Sequence, residues 1–193
     1  MNPDFSRSVE AITPFPHLST PELVDETLGA ATLAWLRDRA PWRLRVEDFY
    51  EQHEIDLLDV SLPVDVAPIA DKQFLEGIRR GLEDRLPHEA PLHLVDVSAH
   101  RLTKGQTIRI HNDHIGGEET HRLLLHLNEG WSPDQGGLLM LFSQDRPEAL
   151  TNVILPKHRG GFGFRISDDS HHAVSTIRNG ERFTVVYTFR QLS

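Results

Sequence analysis

Arg122–Phe142 reads RLLLHLNEGWSPDQGGLLMLF. Two short apolar runs, Arg122–Leu127 and Gly137–Phe142, flank a polar segment containing Asn128, Gly130, Pro133, Asp134 and Gly136. Apolar runs of this length, bounded by turn formers, predict strands rather than helices. The same texture extends in both directions. It begins after Pro91 with Leu92, Leu94, Val95 and Val97, and continues at Thr107–Ile110, Asn152–Leu155, Gly163–Ile166, Ala173–Ile177 and Phe183–Phe189. Gly, Asp, Asn or Pro clusters separate most of these runs. Many short strands at fairly even spacing predict a β sandwich or barrel-like sheet pair.

The first ninety residues read as helical. Thr20 is the expected N-cap of a first helix with Pro21 at its first position, an apolar stripe through Leu23, Leu28, Trp35 and Leu36, and an end at Pro41. A second helix is expected from about Pro68 to Leu86, with Phe74, Leu75, Ile78 and Leu82 as its stripe and Pro87 as its stop. A strand and a loop are expected between them, around Trp42, Phe49 and Tyr50. The predicted class is mainly β with N-terminal helices (α+β), the helices packed on one outer face. One domain is expected over 1–193, with 1–90 its helical part and 91–193 its β core.

Composition narrows the function. The 193 residues are 38% hydrophobic and 25% charged, as in a globular chain. A net charge of −9 argues against general electrostatic binding to nucleic acid. With no cysteine, neither a disulfide nor a thiolate metal site can form, which fits a cytoplasmic protein. The N-terminus lacks a basic segment followed by an apolar one, and no apolar run approaches the ~20 residues of a membrane helix. No nucleic-acid or membrane partner is therefore expected.

Twelve histidines make chance pairings common. Two patches still stand out, His111-Asn112-Asp113 and His172. Together they offer two imidazoles and one carboxylate, the facial donor set of non-haem Fe(II) oxygenases. On a strand, residues 111 and 113 would share a face. Arg182 and Thr184 would share a face by the same rule, and a guanidinium beside a hydroxyl suits a carboxylate ligand. Taken alone, HNDHIGGEETH also reads as a solvated loop, and Arg182 as an edge-strand arginine.

The order and spacing of several motifs resemble the prolyl-4-hydroxylase-like branch of the Fe(II)/2-oxoglutarate dioxygenases. The likeness runs from about Arg101 to Arg190. It rests on Gly105 six residues before His111, on His111-x-Asp113, and on RLLLHLNEGW and GGLLMLF. His172-x-Val174 and Arg182-x-Thr184, ten residues apart, complete it. The resemblance implies a double-stranded β-helix (jelly roll). It assigns His111, Asp113 and His172 to iron, the last in preference to His171. Arg182, assisted by Thr184, would hold the distal carboxylate of 2-oxoglutarate. His126 stands where relatives often have a tyrosine touching that carboxylate, and Leu139 and Val174 would line the pocket. Relatives usually carry a tyrosine shortly before the H-x-D, where this chain has Leu102 and Ile108.

The implied reaction is hydroxylation of an unactivated C–H bond with release of succinate and CO2. It uses Fe(II), 2-oxoglutarate and O2, with ascorbate as an accessory reductant. Related halogenases have a small residue at the position of Asp113, so its carboxylate implies hydroxylation. The substrate would be a peptide or protein side chain, a peptide natural product or another small molecule, and nothing in the sequence sets the oligomeric state. Two other readings stay open on the residues alone. One is a cupin-like metalloenzyme independent of 2-oxoglutarate, and the other is a non-enzymatic binding module on the same fold. His114, His121 and His158 are expected on the surface or substrate side, Trp131 in packing, and Arg101, Arg109, Lys157 and Arg159 as solvated charges. Gly116-Gly117 and Gly160-Gly161 read as turns, the former also as part of a lid.

Overall fold

The computed structural model describes residues 2–114 and 119–192; the expected turn or lid at Gly116-Gly117 lies outside them. Among the described residues the chain forms twelve strands and two α-helices. In chain order these are β1 (Val9–Ala11), β2 (His17–Thr20), α1 (Glu26–Asp38), β3 (Arg43–Glu47) and β4 (Tyr50–Asp56). After a 3-10 turn at Ala67–Ala70 come α2 (Lys72–Glu83), β5 (Leu92–Leu102), β6 (Ile108–His111), β7 (His121–His126) and β8 (Leu139–Phe142). The series closes with β9 (Leu150–Ile154), β10 (Gly161–Arg165), β11 (His172–Val174) and β12 (Arg182–Gln191).

Every pairing is antiparallel, and the strands follow one another in the order β1-β2-β10-β7-β12-β5-β4-β6-β11-β8-β9, with β3 beside β4. The sheet curls on itself. Leu139 and Leu141 of β8 pack against Phe15 and against Phe162 and Phe164 of β10, far away in the strand order. This is the rolled, mainly β architecture expected from the sequence.

Alternation along the central strands creates two unlike faces. Val97 and Ala99 of β5, Leu123 and Leu125 of β7, and Phe183, Val185, Tyr187 and Phe189 of β12 form one buried cluster with Leu28 and Leu36 of α1 and Phe74, Ile78 and Leu82 of α2. The helices thus cover the outer face of the sheet. Tyr187 is fully buried there, and its hydroxyl donates to the Ile69 carbonyl at 3.1 Å. Each such side chain contributes roughly 1.5–3 kcal/mol through burial. The intervening residues, including Asp96, Ser98, His100, Arg122, Arg182, Thr184 and Thr188, face inward and line a cavity.

The N-terminal half departs from its helical reading, because four of the twelve strands lie there. Thr20 does not cap a helix. It closes β2 opposite Gly161 of β10, and α1 starts later with Asp25 as N-cap, whose carboxylate accepts from the Leu28 N–H at 2.8 Å. The second helix is also shorter than expected, starting at Lys72 with Asp71 as N-cap. The strand and loop expected around Trp42–Tyr50 are the hairpin β3–β4, with Glu47 opposite Tyr50. Gly161 begins a strand instead of sitting in a turn, paired with Thr20 and Leu125 so closely that a Cβ there would come within 2.8 Å of the Thr20 side chain.

Gly136 and Gly137 lead into β8 with φ of +74° and +64°. These left-handed conformations favour glycine. The chain passes so close to Thr176 that a Cβ on Gly136 would lie 2.0 Å from its carbonyl oxygen.

Candidate active site

β6 and β11 are neighbours, and His111 stands directly opposite His172. The two imidazole centroids are 4.2 Å apart. Each Nδ1 lies 2.8 Å from a backbone carbonyl, that of Arg109 for His111 and that of Ser170 for His172. Those carbonyls accept the Nδ1 proton, so each Nε2 is left with a free lone pair. Both Nε2 atoms face the Asp113 carboxylate, at 3.4 Å for His111 and 3.2 Å for His172. One donor atom from each of the three residues lies within 4.8 Å of the others.

Asp113 reaches this position by a route the i, i+2 rule did not anticipate. β6 ends at His111, and Asp113 has a left-handed backbone with φ of +60°. Aspartate tolerates this region better than most residues. Burial pushes its carboxyl pKa up, but opposing effects led by the Arg122 charge beside it hold it well below the usual carboxylate range. Burial pushes His172 down, which keeps its ring neutral. Two neutral nitrogen lone pairs facing a carboxylate repel it unless a cation lies between them. The donor set and its protonation therefore fit a divalent metal ion such as Fe(II).

The cavity beside these residues has a volume of about 750 Å³. Leu139, Val174, Arg182 and Thr184 line it together with the three donors. Arg182 is 3% exposed, and among the described residues it has no ion-pair partner; its buried Nε has no hydrogen bond. Burial lowers its pKa to about 10. His126 faces Thr184 across β7 and β12. Both of its ring nitrogens are buried and unbonded. Burial and the Arg182 charge drive its pKa far down, so the ring is neutral. The Thr184 hydroxyl is likewise buried without a partner. A buried cation among unsatisfied neutral donors fits an incoming carboxylate.

Other expectations change. His121 is completely buried, with its Nε2 3.0 Å from the Pro87 carbonyl; it holds the end of α2 to β7 and is not a surface group. His114 is exposed beside Asp168 at 2.6 Å, and His171 lies outside the donor triple. Arg101 pairs with Glu181, and Arg159 pairs with Glu22 and Glu26 at the start of α1, so neither is a free surface charge. Trp131 packs with Leu102, Val174 and Ile177 and donates to the Gly136 carbonyl at 2.9 Å. Leu102 and Ile108 belong to this apolar cluster.

Two residues at the site escaped the sequence reading. The Phe49 ring stacks on His111 at 4.6 Å. Arg122 brings its Nη1 within 2.6 Å of Asp113 Oδ2. In the structure Arg122 shares the inward face of β7 with Leu124, and both line the cavity.

A family model described as the 2OG-Fe(II) oxygenase superfamily matches residues 97–190. That segment belongs to the 2OG-Fe(II) oxygenase superfamily. The match spans β5 to β12 and contains every candidate ligand named above. Fe(II), 2-oxoglutarate and O2 come with this membership, and the matched segment is that of an oxygenase. No curated protein matches it in sequence. Among solved structures, the fold resembles a Pseudomonas putida prolyl-4-hydroxylase at 21% identity, covering 91% of this chain and 92% of that one with a TM-score of 0.68. A prolyl hydroxylase from Trichoplax adhaerens, solved with a peptide fragment of hypoxia-inducible factor, gives a TM-score of 0.75 at 11% identity, covering 91% and 83%. A viral collagen prolyl hydroxylase from Paramecium bursaria Chlorella virus-1, solved with 2-oxoglutarate, gives 0.65 at 14% identity, covering 91% and 96%. At these identities the likeness concerns the fold.

Proposed function

We propose that this oxygenase hydroxylates an unactivated C–H bond, with one oxygen atom of O2 entering the substrate and the other entering succinate as CO2 leaves. The observation that carries the reading is the convergence of His111, Asp113 and His172 on one cavity that also holds Arg182, unpaired among the described residues. His111 and His172 would hold Fe(II) through Nε2, and Asp113 through its carboxylate. When bound, the metal with 2-oxoglutarate and O2 supplies an oxidant strong enough for such a bond.

The protein's own groups position and shield. Arg182 would bind the distal carboxylate of 2-oxoglutarate by charge-assisted bonds, with the Thr184 hydroxyl and one His126 N–H donating beside it. Leu139 and Val174 would pack against the carbon chain of the co-substrate and keep water from it. The backbone carbonyls of Arg109 and Ser170 hold the two ligand imidazoles in one tautomer. Phe49 covers one face of His111. The Trichoplax structure holds a peptide, and this chain shares its fold, so we extend the reading to a peptidyl substrate.

Oxygen-dependent conversion of 2-oxoglutarate to succinate tests the proposal. Iron-loaded protein should accelerate it when the right peptide is supplied, and a screen of proline-containing and other peptides should show stoichiometric product. Failure to turn over 2-oxoglutarate with any peptide, amino acid or peptide natural product would refute it. Turnover with free amino acids alone would move the substrate class but leave the reaction intact.

A further inference from the structure

Asp113 is poorly anchored by its own backbone. It lies beyond the end of β6 in a left-handed conformation, outside the ladder that fixes His111 and His172. Its carboxylate also faces two nitrogen lone pairs, which push it away from the position a metal site requires. Something else must hold it there.

Arg122 is placed to do so. It sits within β7, paired across the ladders with Phe164 on one side and Thr188 on the other. Its Nη1 is 2.6 Å from Asp113 Oδ2, and its Nη2 pairs with Glu119. The contact to Asp113 is an ion pair whose angles are not those of a hydrogen bond, since Oδ2 has no hydrogen-bond partner. The Arg122 Nε is buried and unbonded. Asp96, opposite Thr188 on β5, lines the same cavity and adds a further negative charge. Glu119 and Asp96 offset the guanidinium charge and so moderate its repulsion of a bound cation, while the direct 2.6 Å contact keeps its hold on the Asp113 carboxylate.

Resting on the metal site proposed above, we infer that Arg122 is a positioning residue that keeps Asp113 turned toward His111 and His172. Groups that orient a metal ligand in this way typically contribute 10–100-fold to metal affinity.

The test titrates Co(II) into the purified full-length protein without 2-oxoglutarate, following the visible d–d spectrum. Wild type should bind one Co(II). R122M should bind at least tenfold more weakly and show a changed spectrum at saturation. R122K, which keeps the charge but not the planar fork, should bind clearly more tightly than R122M and return the wild-type spectrum. A loss of packing alone would not be repaired by lysine and would leave the saturated spectrum unchanged. The inference is overturned if R122M matches or exceeds wild-type affinity, or if R122K is no better than R122M. Should circular dichroism show R122M unfolded, R122Q decides: at least tenfold weaker binding with a changed spectrum supports the inference, and wild-type behaviour overturns it. A wild type that binds no Co(II) would instead defeat the metal site itself.

Discussion

Arg182→Met should improve the stability of the metal-free protein while removing its response to 2-oxoglutarate. The wild-type guanidinium is 3% exposed and, among the described residues, has no ion-pair partner. Its burial lowers the pKa from 12.5 to about 10, which corresponds to roughly 3 kcal/mol of unfavourable burial. At neutral pH the group is charged in both folded and unfolded states, because the solution lies below both pKa values. The cost is then present in full. Methionine keeps much of the aliphatic stem and carries no charge, so the variant should recover part of this. A gain of about 1–3 kcal/mol would raise the melting temperature by several degrees in a chain of this size. The same substitution removes one partner of a buried charge pair with the co-substrate, a loss of about 2–5 kcal/mol. That weakens 2-oxoglutarate binding by roughly 30-fold or more. Thermal unfolding with and without Mn(II) and 2-oxoglutarate reads both effects in one assay. If Arg182→Met melts below wild type without ligand, or is stabilised by 2-oxoglutarate as strongly as wild type, the placement of an unpaired co-substrate cation is wrong.

Further outcomes follow from other parts of the molecule. Asp113→Ala should abolish Fe(II) binding, whereas Arg182→Met should leave it intact, as equilibrium dialysis against Fe(II) under nitrogen would show. Gly136→Ala should destabilise by about 2–3 kcal/mol or more, because its Cβ would overlap the Thr176 carbonyl; urea unfolding measures this. Burial lowers the His121 pKa to about 4. The unfolded state therefore binds the extra proton first as the pH falls, so stability is kept above about pH 6.5 and lost progressively toward pH 4. Between pH 7 and pH 5 the loss from this residue should be roughly 2 kcal/mol, and His121→Gln should flatten that slope in urea titrations at the two pH values.

The β core could be read in the sequence because its short apolar runs are bounded by turn residues and fill one face of each strand. β7 and β8 fall within two residues of their expected limits for that reason. The stripe of Phe74, Ile78 and Leu82 was equally readable, since it meets the sheet directly. Strands β1 and β2 were not readable. They are three and four residues long, and β2 owes its conformation to β10, over a hundred residues away. That pairing also overrode the helix-start signal of Thr20-Pro21, because Thr20 closes the strand.

At the site, the three donors and Arg182 were visible as residue types at a fixed spacing. The tertiary geometry was not. Asp113 reaches the imidazoles through a left-handed turn that no alternation rule describes. Arg122 lay hidden in RLLLHL because a charge within an apolar run reads as solvent-facing until the cavity behind the strand is known. His121 was hidden for the opposite reason: its burial depends on the Pro87 carbonyl, a contact outside its own segment.

The most direct test of the account is an anaerobic titration with Fe(II) followed by 2-oxoglutarate, monitored in the visible region. Wild type should bind one Fe(II) per chain and then develop a weak charge-transfer band as 2-oxoglutarate chelates the metal. Asp113→Ala should give no band, and Arg182→Met should require far more co-substrate to reach it. Wild-type protein that binds no iron, or that binds iron yet shows no band at saturating 2-oxoglutarate, would contradict the assignment of this cavity to a co-substrate-dependent iron centre.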